Sequence, residues 1–336
     1  MSAMVVQAAD RRRRVAELLQ RGGALVVLAV VTLVGAAVFG TRFASLDNAL
    51  NILEASSFLA LVAVGMTFVI IGGGIDLSVG SLLALSAVLA AYGSRFGSLG
   101  AIVLPMVVCG LIGTLNGVLV ARARMAPFIV TLATLLFARG AALAVSNEGN
   151  TIFHIDEHLE VIGLGQGTVL GVRVPIVIAT LALALGALVL ARTRYGLAIA
   201  AIGGSEDAAR LMGVPVARVK TLMYVYSGLL AGLAGLLVAA RSSSGQSTIG
   251  VGLELQAIAA VVIGGTLLTG GYGSVAGTLA GVLLLNVLDN LINQVGTLSS
   301  YYQQVVSGLF LIAVVIAQAY LSRQQRLSRP RAAGSP

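Results

Sequence analysis

In 336 residues the sequence has no tryptophan, one cysteine, one lysine and two histidines, and only 10% of its residues are charged. Each scarcity excludes something. Soluble domains carry roughly 25% charge, so a chain that is 58% hydrophobic with a mean hydropathy of +0.99 is an integral membrane protein. Cys109 stands alone in an apolar segment, which rules out an intrachain disulfide and a cysteine metal site. A phosphate-binding loop needs Gly-x4-Gly-Lys-[Ser/Thr], but the single lysine, Lys220, follows Val219. The chain has neither a Gly-x-Ser-x-Gly elbow with triad partners nor a His-Glu-x-x-His motif, so no enzyme class is supported. Aromatic residues are 5% of the total, too few for a tight sugar-stacking site but no obstacle to a passage. Lys and Arg outnumber Asp and Glu by 21 to 13. They sit at the ends of apolar runs, as orientation signals do, and form no clustered basic face for nucleic acid.

What is present is a series of apolar stretches at about 20 residues per crossing. Ten are expected, near 22–40, 55–75, 77–94, 96–121, 125–145, 174–191, 221–240, 255–271, 272–288 and 302–321. The first follows the arginines at 11–14 but is too long for a signal-peptide core, so it reads as a retained helix. With both termini in the cytoplasm, sixteen Lys/Arg fall inside and four outside (Arg42, Arg95, Arg173 and Arg241), with Arg139 within a crossing. The expected fold class is therefore all-α, a polytopic membrane protein of about ten helices, some broken or re-entrant, N-in and C-in. The expected division is a cytoplasmic tail at 1–21, a transmembrane domain at 22–321 and a second cytoplasmic tail at 322–336.

The organising stretch is 71–81, with four glycines, one carboxylate (Asp76) and two hydroxyls between two apolar runs. Irregular backbone inside a bilayer is tolerated only where it packs in protein or lines a wet cavity. A glycine-broken helix with an acid in the break is thus a functional-site candidate, and a short turn with Asp76 capping the next helix is the alternative. Candidate path residues are Asp76, Ser78, Asn116, Thr131 and Thr134, polar groups in or beside apolar runs, with interhelical hydrogen bonding as the alternative. A weaker echo of the break recurs at 260–279, where Gly273-Ser274 matches Gly80-Ser81.

The largest inside loop, 192–220, contains Ser205, Glu206, Asp207, Ala208, Ala209, Arg210, Leu211, Met212 and Gly213 in succession. Ser205 reads as an N-cap, Glu206 and Asp207 suit the positive end of the helix, and Gly213 and Pro215 end it. A helix this short is unstable alone in water and needs a surface to dock on. In the longest outside loop, His154 and His158 at i, i+4 would share a helix face, with neighbouring acids as possible zinc ligands; a solvated loop is the simpler reading. Glycines at 228, 232 and 235, at 273, 277 and 281, and at 113 and 117 form small faces that suit packing within one subunit or between two.

Four blocks in order resemble the permease subunits of ABC importers for monosaccharides, of the ribose/xylose/galactose type. They are Gly74-Ile-Asp-Leu-Ser-Val-Gly-Ser81; Asn116-Gly-Val-Leu-Val120 with Pro127-Phe-Ile-Val-Thr-Leu-Ala-Thr-Leu135; Tyr195-Gly with Gly203 through Gly213; and Glu254-Leu-Gln-Ala-Ile-Ala with Gly264-Gly-Thr and Gly270-Gly-Tyr-Gly-Ser274. The related branched-chain amino acid permeases look different at the first block. The resemblance implies that 205–213 is the coupling helix, that ATP and Mg reside on a partner, and that this chain is non-catalytic with no cofactor or metal of its own. It implies a cytoplasmic ATP-binding subunit, a periplasmic sugar-binding protein and a second permease copy or paralogue, assembled in lipid at the bacterial inner membrane. A proton-coupled secondary transporter using Asp76 and Asp289, with Glu54 and Glu254 as further candidate relays, is the alternative. A non-transporting scaffold is the third.

Overall fold

The computed structural model describes residues 23–296 and six helical positions between Tyr302 and Ile316. The expected tails and most of the expected span at 302–321 lie outside the described residues. Seven helical segments are long and apolar enough to cross a bilayer, and the chain is a multi-pass membrane protein.

The centre is built from helices that are apolar on every side, as a helix enclosed by other helices must be. Helix α2 (Leu46–Ile71) starts where the Ser45 hydroxyl accepts from the amide of Asn48, and almost every side chain from Ser56 to Ile71 is buried. Helix α3 (Val79–Gly93) has only Tyr92 not fully buried, and α10 (Val216–Ser242) completes the core. Around them stand α1 (Gly23–Arg42), α4 (Gly97–Ala121), α5 (Pro127–Val145) and α7 (Val174–Arg192). These outer helices expose Leu33, Leu111, Leu136 and Leu181, as suits a hydrocarbon solvent.

By length and composition 79–121 could be one 43-residue span. It folds back at 94–97 instead: the Cys109 thiol on α4 lies 3.7 Å from the Leu82 carbonyl on α3. Gly97 makes the turn at φ +80°, and Gly93 and Gly100 bring the two backbones together.

The expected crossing at 255–271 is interrupted. Helix α11 (Leu253–Ile263) has 11 residues, about 17 Å at 1.5 Å each, roughly half the hydrocarbon thickness. The chain then runs without helix through 264–274, with positive φ at Gly265, Gly270 and Gly271, before α12 (Val275–Val295) begins at the N-cap Ser274. The other break, 72–78, separates α2 from α3 and turns at Gly73 with φ +79°. Gly80-Ser81 lie inside the first turn of α3, so the structural counterpart of Ser274 is Ser78, one N-cap for another.

The glycine faces pack within the subunit. Gly113 and Gly117 on α4 meet the backbone of Tyr224 and Thr221 on α10; Gly228 and Gly232 on α10 meet Cys109 on α4. Gly277 and Gly281 on α12 meet Gly264 and Ala260. Short connecting elements are α6 (Ile162–Gln166), α8 (Arg194–Gly204), α9 (Glu206–Leu211), and the two-residue strands β1 (Phe153–His154), β2 (Thr168–Val169), β3 (Val172–Arg173) and β4 (Ser244–Gly245). β1 pairs antiparallel with β4, and β2 with β3.

Candidate functional site

Gly72, Gly73 and Gly74 end α2, with Gly73 turning the chain at a positive φ and the other two closely approached by α10 side chains. A Cβ on Gly74 would strike the hydroxyl of Tyr224, and one on Gly72 would strike Met223. The released backbone carries Asp76 into the interior, fully buried. Both carboxylate oxygens accept hydrogen bonds. Oδ1 receives the Ser78 hydroxyl at 2.6 Å and the Ser78 amide at 3.1 Å; Oδ2 receives the Ser227 hydroxyl of α10 at 2.8 Å. The Asn116 side-chain amide on α4 donates to the Ser78 hydroxyl at 3.1 Å. The Thr131 hydroxyl on α5 donates to its own helix at Pro127 and lies 3.3 Å from the Ile75 carbonyl. Thus the break is tied to α4, α5 and α10 through polar side chains (Asp76, Ser78, Asn116 and Thr131) that are closed to solvent in this conformation.

Thr134 stands apart: among the described residues its hydroxyl bonds only carbonyls of α5. Ser227 is not among the expected path residues: α10 carries five hydroxyl residues, Thr221, Tyr224, Tyr226, Ser227 and Ser242, and nothing in the sequence marks Ser227 among them. Two further buried atoms, Asn116 Oδ1 and Tyr224 OH, have no hydrogen-bond partner among the described residues. The site therefore meets its one acid with neutral donors, and among the described residues still holds one unused acceptor and one unused donor.

At the bundle end where both breaks emerge sits α9. The Ser205 hydroxyl accepts from the Ala208 amide at 3.3 Å, and Gly213, at φ +80°, closes the other end with its amide on the Arg210 carbonyl. The helix covers Glu206–Leu211, slightly shorter than the expected element. Ala209 is fully buried and anchors it; Asp207, Ala208 and Arg210 face out, and Leu211 and Met212 are 89% and 71% exposed. Glu206 bonds Arg210 at 2.7 Å and also the ammonium of Lys220. The bond from Lys220 is the main cause holding the Glu206 carboxyl below its usual range. Between α9 and the α4–α5 loop is a cleft of about 370 Å³ lined by Arg124, Met125, Glu206 and Lys220, among others.

The opposite end carries the buried carboxylate Glu54, paired with both Arg173 and Arg241, beside a cleft of about 330 Å³. Among the described residues Glu54 and Asp76 share no hydrogen-bond or ion-pair partner. Arg139 on α5 donates to the carbonyls of Ser247 at 2.6 Å and Ile249 at 2.8 Å, clasping the segment between α10 and α11. His154 and His158 share no helix face, in keeping with the simpler reading of this stretch as a loop. His154 lies in β1, paired with β4, and the His158 amide closes a turn on the Asp156 carboxylate at 3.0 Å. Among the described residues no three His, Cys, Asp or Glu side chains are grouped as metal ligands.

With this geometry in view, similarity to known proteins decides the family. The profile described as "Branched-chain amino acid transport system / permease component" matches residues 48–315. The chain belongs to this permease family. It is 40% identical over 304 residues to the ribose import permease protein of Haemophilus influenzae, covering 90% of this chain and 92% of that one. It is 43% identical over 271 residues to the ribose import permease protein of Bacillus subtilis, covering 80% and 84%. It is 35% identical over 311 residues to the fructose import permease protein of Bifidobacterium longum, covering 89% and 90%. No solved structure matches the chain. The chain is a permease subunit of an ABC transporter and a non-catalytic membrane component.

Proposed function

We propose that this subunit forms the path for a monosaccharide entering a bacterial cell across the inner membrane. A separate ATPase, with ATP and Mg bound to it, would drive the path through α9. The observation that carries this reading is the form of α9: a capped helix too short to stand alone, anchored by buried Ala209 and offering Leu211 and Met212 to a partner. The Lys/Arg distribution supports a cytoplasmic position for α9 and for both termini. A periplasmic binding protein delivers the sugar to the other end, and a second permease copy or paralogue completes the path.

In this reading Asp76, Ser78, Asn116 and Thr131 form the polar wall that opens to the path, and Thr134 continues it along α5. Support comes from the unused acceptor on Asn116 and the unused donor on Tyr224, which suit a hydroxyl-rich solute leaving water.

The test is Leu211→Asp combined with Met212→Asp in the full complex. The expected result is loss of ATPase co-purification and of sugar uptake, with the permease's thermal unfolding unchanged. Parent-level uptake with the ATPase still bound would overturn the reading.

A further inference from the structure

We propose that Gly203 is the positioning residue through which α9 moves both broken helices, a proposal that rests on the coupling role given to α9 above. Gly203 and Gly204 end α8, immediately before the Ser205 cap. The two helix breaks meet each other at this point: the Gly271 amide, in 264–274, donates to the Ile71 carbonyl at the end of α2, at 2.8 Å. Gly203 lies directly on that bond. A Cβ at Gly203 would fall on the Ile71 carbonyl oxygen and 2.5 Å from the Gly271 nitrogen. The contact extends on both sides, since a Cβ on Gly270 would come within 3.1 Å of Gly203 and Gly73, and one on Gly271 within 3.1 Å of Gly204.

At these glycines three segments distant in sequence therefore touch backbone to backbone, with no side chain at the contact that could rotate to absorb a displacement. Packed backbone transmits small shifts because it has no soft degree of freedom at the contact. One break carries Asp76 and leads into α3; the other leads into α12 through its Ser274 cap. A shift of α9 thus reaches both breaks at once and reaches the Asp76 cluster five residues beyond Ile71.

Adjacent glycines supply the control. Gly204 has nothing within 4 Å of where its Cβ would stand. Gly203→Ala and Gly204→Ala are compared in proteoliposomes with the ATPase and binding protein, using D-ribose, D-fructose or L-arabinose, whichever the parent imports. For Gly203→Ala we expect the ATPase to remain bound and hydrolysis to stay within about twofold, while uptake falls roughly tenfold or more. Gly204→Ala should match the parent. Parent-level uptake by Gly203→Ala overturns the proposal. If that variant does not fold, hydrogen exchange in the parent complex decides: protection across 266–274 should differ between its ATP and ADP states, and identical protection overturns the proposal. Failure of the coupling role itself shows separately, as uptake that survives the Leu211 and Met212 substitutions.

Discussion

Ser227 donates its hydroxyl to Asp76, 151 positions away, and is the only bond to that carboxylate among the described residues that comes from another helix. It joins the break between α2 and α3 to the central helix α10. Ser227→Ala leaves one carboxylate oxygen buried without its donor, which costs about 1–3 kcal/mol. Thermal unfolding in detergent should show the loss. Combined with Asp76→Ala, the two losses should fall short of their sum, because both remove the same bond.

Gly228 tests the reading of the glycine faces as internal seams. Its Cβ would stand 2.6 Å from the Cys109 carbonyl and 3.2 Å from the Gly113 Cα. Gly228→Ala should destabilise the subunit by about 1–3 kcal/mol through overpacking. Gly140→Ala on α5 meets nothing within 4 Å and should be neutral or stabilising by up to about 1 kcal/mol through helix propensity. The pair is compared by thermal unfolding, and equal effects would contradict the packing.

Glu206 sets a pH dependence. Its folded-state pKa is depressed, chiefly by the bond from Lys220. A depressed carboxyl stabilises at pH above its ordinary value and loses that contribution as pH falls through the folded one. The attachment of α9 should therefore be unchanged from pH 7 down to the ordinary carboxylate range and loosen only in stronger acid. A spin label on Met212→Cys should report this mobility change, and Glu206→Gln should abolish its pH dependence.

Arg139 holds the segment between α10 and α11 by two carbonyls. Arg139→Met removes charge-assisted bonds worth about 1.5–3 kcal/mol each at most. Hydrogen exchange should rise over 247–252 with little change in α2. Unchanged exchange there would show that the segment is held by β1 and β4 alone.

Several of these features could be read from residues alone. The capping pattern of α9 was legible because Ser205, the acids after it and Gly213 act within one turn of their own positions. The breaks at 72–78 and 264–274 were visible as glycine clusters inside apolar runs. Their lengths were not: α11 ends at Ile263, although the composition stays apolar through Leu268. Hydropathy records which solvent a residue prefers and is silent on whether its backbone is helical. The histidine pair shows the same limit, since i, i+4 spacing acquires meaning only if a helix forms, and here His154 lies in a short strand and His158 in a turn.

Sequence by itself determined the solvent this protein lives in, the absence of a nucleotide-binding loop, the small capped helix and the family resemblance, since each depends on composition or on residues a few positions apart. Tertiary structure decided which faces meet. It turned the glycine stripes into seams inside one subunit, gave Asp76 its partner on α10, and laid Gly203 across the bond between Ile71 and Gly271. Those outcomes depend on the approach of segments separated by tens to hundreds of residues. In a chain so rich in Ala, Gly, Leu and Val, many pairings look alike until the backbones are in place.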